Sequence, residues 1–244
     1  MKEQAPQSEV IREFSRFAHT YDSYNQIQQK VAKSLVASIT TEHYKRIIDI
    51  GCGSGSVYQN LKIEDKLVEE FIALDSSEDM LSIHPKGTNI KRICTDFDSE
   101  DAFDTMIELS DTLLVSASAL QWSKDLDILF SRLSQLSEYA YFAIFTANTF
   151  KTLHTVASLN SPIYSTDILQ EQINKYFHAS YEVQNYQLEF ESVKEMFRYI
   201  KKSGVSGGEK KLSYKEIKSL MDEYPLKYLE FEVLFVKATS LNTK

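Results

Sequence analysis

A doubly wound α/β fold follows from three features of the chain. Short β-branched runs alternate with amphipathic segments between residues 46 and 145, a glycine-dense turn follows the first run, and an acid closes the second. Runs such as Ile47-Ile48-Asp49-Ile50 and Phe71-Ile72-Ala73-Leu74 read as strands buried on both faces. Strand–helix alternation of this kind builds a parallel sheet whose ligand crevice lies outside the carboxyl strand ends.

In chain order, residues 8–39 read as two helical pieces. Val10, Ile11, Phe14, Phe17 and Ala18 share one stripe, and Ile27, Val31, Leu35 and Ile39 share another. This arm precedes the first strand and is free to fold over the strand ends as a lid. A short helix is expected near residues 57–61, a strand ending at Asp75, and a helix through Met80 and Leu81. Residues 91–97 read as a strand leading to Asp96-Phe97. A fourth, at residues 112–115, runs out into Ser116-Ala117-Ser118, whose small side chains leave room for a ligand. A helix over 127–136 and a strand over 139–145 follow. Beyond Thr146 the pattern predicts helices at 150–159, 166–176, 193–202 and 214–224, and strands at 181–190 and 229–239. The result is a mostly parallel, seven-stranded sheet in one domain: a lid over 1–40, a core over 41–147, a helical insertion over 148–180, and completion of the sheet over 181–244.

The chain has 244 residues and a formal net charge of −8, which argues against wholesale nucleic-acid binding. Its two cysteines, Cys52 and Cys94, form neither a disulfide framework nor a zinc spacing, as expected for a reducing cytoplasm. The first residues, M-K-E-Q-A-P-Q-S-E, lack the apolar core of a signal peptide, and the longest apolar run is too short to span a bilayer.

The turn Gly51-Cys52-Gly53-Ser54-Gly55 is spaced G-x-G-x-G rather than the G-x-G-x-x-G of a dinucleotide site, so it suits a ligand without a pyrophosphate. Asp75 stands where a Rossmann-like sheet places the carboxylate that receives two ribose hydroxyls, although S-S-E-D is also a good helix start that Asp75 could cap. Asp96 beside Phe97 could bond an adenine amino group and cover its ring, or form a solvated turn.

I-D-I-G-C-G-S-G, A-L-D-S-S-E-D-M-L, T-D-F-D and S-A-S-A-L-Q-W, in this order, resemble the motifs of class I S-adenosylmethionine-dependent methyltransferases. More narrowly, E-F-S-R-F-A-H-T-Y-D, L-Q-W, F-T-A-N-T-F-K-T-L-H and Y-P-L-K-Y resemble the malonyl-acyl-carrier-protein O-methyltransferases of biotin synthesis. Two departures stand out: 134–138 is S-Q-L-S-E where that family has a Lys-Pro-Gly-Gly turn, and Thr152 stands where it often has Glu. The resemblance implies S-adenosylmethionine as cofactor. It implies contacts from Tyr21 and Gln28 on the lid, from Asp49, Gly51, Cys52, Gly53 and Gly55, from Asp75, Ser76 and Met80, from Asp96 and Phe97, and from Ser116, Ala117 and Gln121. It implies no metal.

Methyl transfer to a carboxylate needs no base, because the acid is ionised at neutral pH and the sulfonium is already electrophilic. Positioning is then the main catalytic effect, worth at best about 7–11 kcal/mol. Tyr21, Lys151 and His154 are candidates for holding the acceptor's carboxylate. A carrier-protein partner is acidic, and residues 194–218 hold eight cations against three acids, among them Lys194, Arg198, Lys201, Lys202, Lys210 and Lys211. That run is either a docking patch or a solvated helix face. Competing readings are a methyltransferase of a free small acid, a non-catalytic cofactor-binding module, and a nicotinamide enzyme, the last disfavoured by the glycine spacing.

Overall fold

The computed structural model describes residues 25–104, 106, 111–203 and 214–242. Tyr21, the first helical piece of the arm, Lys210 and Lys211 lie outside the described residues, as do the side chains of Lys201 and Lys202. Among the described residues no helix is long and apolar enough to cross a membrane.

Seven strands form one sheet: β1 (His43–Ile50), β2 (Leu67–Asp75), β3 (Ile90–Cys94), β4 (Thr112–Ala117), β5 (Tyr139–Phe145), β6 (Phe177–Glu189) and β7 (Tyr228–Ser240). Their spatial order is β3-β2-β1-β4-β5-β7-β6. The first five strands are parallel, and β7 is antiparallel to both of its neighbours. The chain therefore runs outward from β1 through β2 to β3, then returns to lay β4 on the other side of β1. Such a reversal opens a crevice at the carboxyl ends of β1 and β4.

Side chains alternate between two cores. Ile47, Phe71, Leu113 and Val115 point into one, with Val31 and Leu35 of α1 (Gln26–Ala37), Val57 and Leu61 of α2 (Ser56–Ile63), and Leu81 of α3 (Glu78–Ile83). Ile48, Ile72, Leu114 and Phe142 point into the other, with Leu129 and Phe130 of α4 (Leu126–Leu133) and Leu169 and Ile173 of α6 (Thr166–Asn174). This two-sided cover explains why the inner strands carry successive apolar residues, as at Ile47-Ile48, Phe71 to Leu74 and Leu113 to Val115, rather than one at every second position. Between β5 and β6 stand α5 (Lys151–Val156) and α6; α7 (Val193–Ser203) and α8 (Tyr214–Glu223) separate β6 from β7.

Several boundaries differ from those expected of the sequence: the third strand ends at Cys94 rather than 97, α5 ends at Val156 rather than 159, and two further shifts have a visible cause. The helix expected to reach residue 136 ends at Leu133, because serines take over the turn. Ser134 Oγ donates to Ser131 O at 2.9 Å, and Ser137 Oγ donates to Thr112 O at 2.6 Å while accepting from Tyr139 N at 3.2 Å. Hydroxyls thus close the turn without glycine. The sixth strand starts at Phe177 rather than 181. Phe177 is buried edge-on against Phe142, with centroids 6.2 Å apart, and that tertiary contact extends a stretch whose own alternation is faint.

His84 ends α3 inside the first core, 1% exposed and stacked on Phe71 at 6.0 Å. Its Nδ1 donates to Pro85 O at 2.9 Å, and Nε2 is buried with no partner among the described residues. Burial first, and Arg92 after it, hold its pKa below the usual value, against the raising effect of the Pro85 bond. An unfolded chain with an ordinary histidine then takes up a proton before the folded one does. The stabilisation is complete above about pH 6.5 and is lost as pH falls toward the lowered folded pKa. Denaturant unfolding between pH 7.5 and 5 should show a smaller loss of stability for His84→Phe than for the parent protein. Equal slopes would remove His84 as the acid-sensitive group.

Candidate functional site

The crevice holds a cavity of about 310 Å³, lined from the carboxyl ends of β1, β2 and β4. What opens it is the turn after β1. Gly51 has φ +69°, and a Cβ built on it would stand 2.2 Å from Ala119 Cβ, so only glycine lets the loop after β4 press onto this turn. At Gly53 an added Cβ would meet nothing within 4 Å, which puts open space where the backbone is barest. Gly55 precedes α2, where a Cβ would stand 2.5 Å from Pro85 Cδ; it seats the segment after α3 and does not line the cavity.

Asp75 is tied to that turn. Its Oδ2 accepts from Gly53 N at 2.9 Å and its Oδ1 from Ser77 N at 2.9 Å. Ser77, not Asp75, caps α3, its hydroxyl accepting from Met80 N at 3.3 Å. With the Ser76 amide also acting on it, the carboxylate keeps only part of its accepting capacity for a ligand. Burial raises its pKa, partly offset by these amide bonds.

Asp49 faces the same cavity from β1. It is fully buried, and neither carboxylate oxygen has a hydrogen-bond partner among the described residues. Burial, and then the Asp75 charge, push its pKa well above the ordinary carboxylate range. Cys52 also lines the cavity, and burial followed by Asp49 and Asp75 raises its thiol well above normal, so it is no thiolate nucleophile.

Of the residues singled out in the sequence, the structure brings together around the cavity Gln28, Asp49, Gly51, Cys52, Gly53, Asp75, Ser76, Met80, Asp96, Phe97 and Ala117. It leaves four others out of the lining besides Gly55. Ser116 is fully buried, its hydroxyl donating to Ile50 O at 2.7 Å and so bracing β4 against the end of β1. Gln121 turns back, its Nε2 donating to Ser118 O at 2.7 Å. Lys151 and His154 lie on α5, which starts from a segment pinned to β7: Thr146 Oγ1 and Asn148 Nδ2 donate to Glu232 Oε1, and Phe150 N donates to Glu230 O. Their positions follow β7 rather than the crevice.

Sequence reasoning missed Ser118, Trp122, Lys124 and Asp98 as lining residues. The run of small residues after β4 signalled space, but Ser118 takes a left-handed conformation, φ +66°, which nothing in its residue type announces. Asp98 accepts from Ser123 Oγ at 2.8 Å and Lys124 N at 3.0 Å, and so draws that loop to the Asp96-Phe97 side of the cavity.

No protein-family model matches the chain. The malonyl-[acyl-carrier protein] O-methyltransferase of Bacillus cereus is 32% identical over 130 residues, 51% of this chain and 46% of that protein. The chain spans about half the length of that relative and of three more of the same name, between 43% and 56%. The Bacteroides helcogenes protein of that name is 25% identical over 234 residues, covering 83% of this chain and 84% of that one. Among solved structures, Haemonchus contortus phosphoethanolamine N-methyltransferase 2, in complex with phosphomonomethylethanolamine and S-adenosylhomocysteine, superposes with a TM-score of 0.57 at 15% identity. That match covers 92% of this chain and 57% of the other. With its strand order, its reversed antiparallel β7 and its cavity at the β1–β4 crevice, the chain has the Rossmann-like fold of the methyltransferases.

Proposed function

We propose that this chain is an S-adenosylmethionine-dependent methyltransferase and that its acceptor is the free carboxylate of a malonyl thioester borne on an acyl-carrier protein, as in biotin synthesis. The observation that carries the first half is the charge of the cavity. Four carboxylates, Asp49, Asp75, Asp96 and Asp98, line it against one cation, Lys124, and Asp49 is buried without a partner among the described residues. Such a wall repels a pyrophosphate and suits a ligand bearing a sulfonium and an ammonium group. The relatives' names support the second half.

The residues present fit that cofactor. Asp75 offers its remaining accepting capacity for ribose hydroxyls, Asp96 and Phe97 an acceptor and an aromatic face for adenine, and Asp49 and the buried Gln28 Oε1 acceptors for an ammonium. When bound, S-adenosylmethionine supplies an electrophilic methyl group, whose transfer forms a C–O bond, leaves the C–S electron pair on sulfur and moves no proton. The chain has to align the acceptor and keep water out, so its residues act by position rather than as acids or bases. Tyr21 and Gln28 cover one end of the site in this reading, Tyr21 lying outside the described residues.

Incubation with labelled S-adenosylmethionine and malonyl-carrier protein, malonyl-coenzyme A or free diacids tests the proposal: label should pass to the malonyl carboxylate, and transfer to free diacids alone would overturn the acceptor assignment. Asp75→Ala should weaken S-adenosylhomocysteine binding by about 1.5–3 kcal/mol for each charged hydrogen bond lost, read by calorimetry; unchanged affinity would exclude Asp75 from the site.

Asp49→Asn should separate stability from binding. A carboxyl whose folded pKa is raised costs the folded state nothing below about pH 3.9, and the cost grows as pH rises toward the folded value. The stability of Asp49→Asn relative to the parent should therefore rise between pH 4 and 7 while cofactor affinity falls. A pH-independent difference would mean that Asp49 is not the strained acid.

Lys194 and Arg198 are exposed on α7, one turn apart, and in this reading form the described part of a docking patch for the acidic carrier protein. Lys194→Glu with Arg198→Glu should slow turnover of malonyl-carrier protein more than that of malonyl-coenzyme A. The difference should shrink as salt rises, since screening acts over about 8–10 Å at moderate ionic strength. Equal losses for both substrates would make this face merely solvated.

A further inference from the structure

The loop from β4 into the 3-10 turn Leu120–Trp122 carries two hydrogen-bonding atoms that cofactor binding leaves unused. Ser118 Oγ and Trp122 Nε1 are both buried, both belong to residues lining the cavity, and neither has a partner among the described residues. An indole N–H can only donate, and a buried donor left unpaired is a standing cost to the fold.

Ser118 is held in place despite its backbone. Its left-handed φ of +66° disfavours a residue with a Cβ, yet three ties enforce it. Its amide donates to Ala143 O at 2.8 Å, its carbonyl accepts from Gln121 Nε2 at 2.7 Å, and the next residue, Ala119, is pressed onto Gly51. Trp122 is fixed by the same turn, its amide donating to Ala119 O at 3.1 Å. A conformation that is strained and over-determined at a cavity wall indicates that the direction of the side chain matters.

The unpartnered atoms around the cavity fall into two chemical kinds. Gln28 Oε1 and the Asp49 oxygens are acceptors and suit a cation, whereas the serine and indole groups can donate and suit an anionic oxygen. We infer that Ser118 Oγ and Trp122 Nε1 hold the carboxylate of the methyl acceptor. This rests on the methyltransferase reading and adds to it the residues that select an acid. Neutral donors are the better choice for a nucleophile, since a guanidinium would bind both oxygens and draw off their charge, while two neutral groups orient the carboxylate and leave it reactive. They discriminate against a neutral isostere such as a methyl ketone, which offers one uncharged acceptor oxygen in place of two charged ones and so pairs only one of the donors, more weakly.

Trp122 is the only tryptophan of the chain, so its emission reports on this site directly. With the protein saturated in S-adenosylhomocysteine, malonyl-coenzyme A should change that emission more than acetoacetyl-coenzyme A, in which a methyl ketone replaces the carboxylate. Ser118→Ala should weaken malonyl-coenzyme A by about tenfold, the loss of one hydrogen bond to a charged group, and Lys124→Gln should weaken it less. Trp122→Phe should raise KM for the malonyl thioester. Neither Ser118→Ala nor Trp122→Phe should change S-adenosylhomocysteine affinity by calorimetry. If the parent protein binds no S-adenosylhomocysteine, the methyltransferase reading fails and this inference with it. With cofactor binding intact, four results would overturn the inference alone: equal emission changes with both thioesters or none with either, unaltered malonyl binding in Ser118→Ala, a larger loss in Lys124→Gln, or a fall in cofactor affinity in either variant.

Discussion

The approach of Ala119 to Gly51 is the constraint on which the site depends. A Cβ at Gly51 would stand 2.2 Å from Ala119 Cβ, so the end of β1 and the loop after β4 can meet only because one partner has no side chain. Their meeting brings the acidic wall, Asp49 on β1 and Asp75 on β2, opposite the loop that carries Ser118 and Trp122. The Gly53 amide bound to Asp75 Oδ2 then couples the turn to β2, so that three strands of the sheet share one rim. A larger residue at Gly51 would push the walls apart before it touched any ligand.

That rim is built against stability. Asp49 has no partner among the described residues, Ser118 keeps a strained backbone, and His84 behind the same turn holds Nε2 in an apolar nest. Each costs the folded chain something that the two apolar cores must offset, and the cores sit directly beneath: Ile47 and Ile48, the residues leading into Asp49, are 0% and 1% exposed. Burial is what makes the acids consequential. In the dry end of the sheet a carboxylate interacts far more strongly with a bound cation than it would in water, and it disfavours its own ionisation for the same reason.

The fold was legible because its signals are local and repeated. Ile47-Ile48, the run Phe71 to Leu74 before Asp75, and Tyr139–Phe145 are each apolar at successive positions, as strands covered on both faces must be, and the structure places each in a strand of the sheet. The site was legible only where chemistry is tied to a strand end. Asp49 stands one residue before the end of β1, Asp75 ends β2 and Asp96 follows β3, and all line the cavity. Ser116 shows where that logic stops: it lies in the small-residue run after β4, but the phase of the strand turns its hydroxyl to Ile50 O. Lys151 and His154 show the same limit, because their helix is placed by Glu230 and Glu232 on β7, some eighty residues away in sequence. Ser118 stood in the small-residue run that signalled space and Trp122 in the motif after it, but that these two line the cavity was not legible. A left-handed serine is set by partners on β5 and in the glycine turn, not by its neighbours in the chain.

The division of the cavity into acceptors and donors bears on the order in which ligands can enter. While Asp49 lacks a counter-charge, burial favours its neutral form. A cation bound against Asp49 and Asp75 favours their ionised forms and leaves the serine and indole donors as the part of the wall still able to receive an anion. An acidic acceptor that entered first would face four carboxylates, with a single lysine among the lining residues to offset them. Entering second, it would meet a site whose negative charge is already paired. On the methyltransferase reading, the charge of the wall therefore favours cofactor before acceptor.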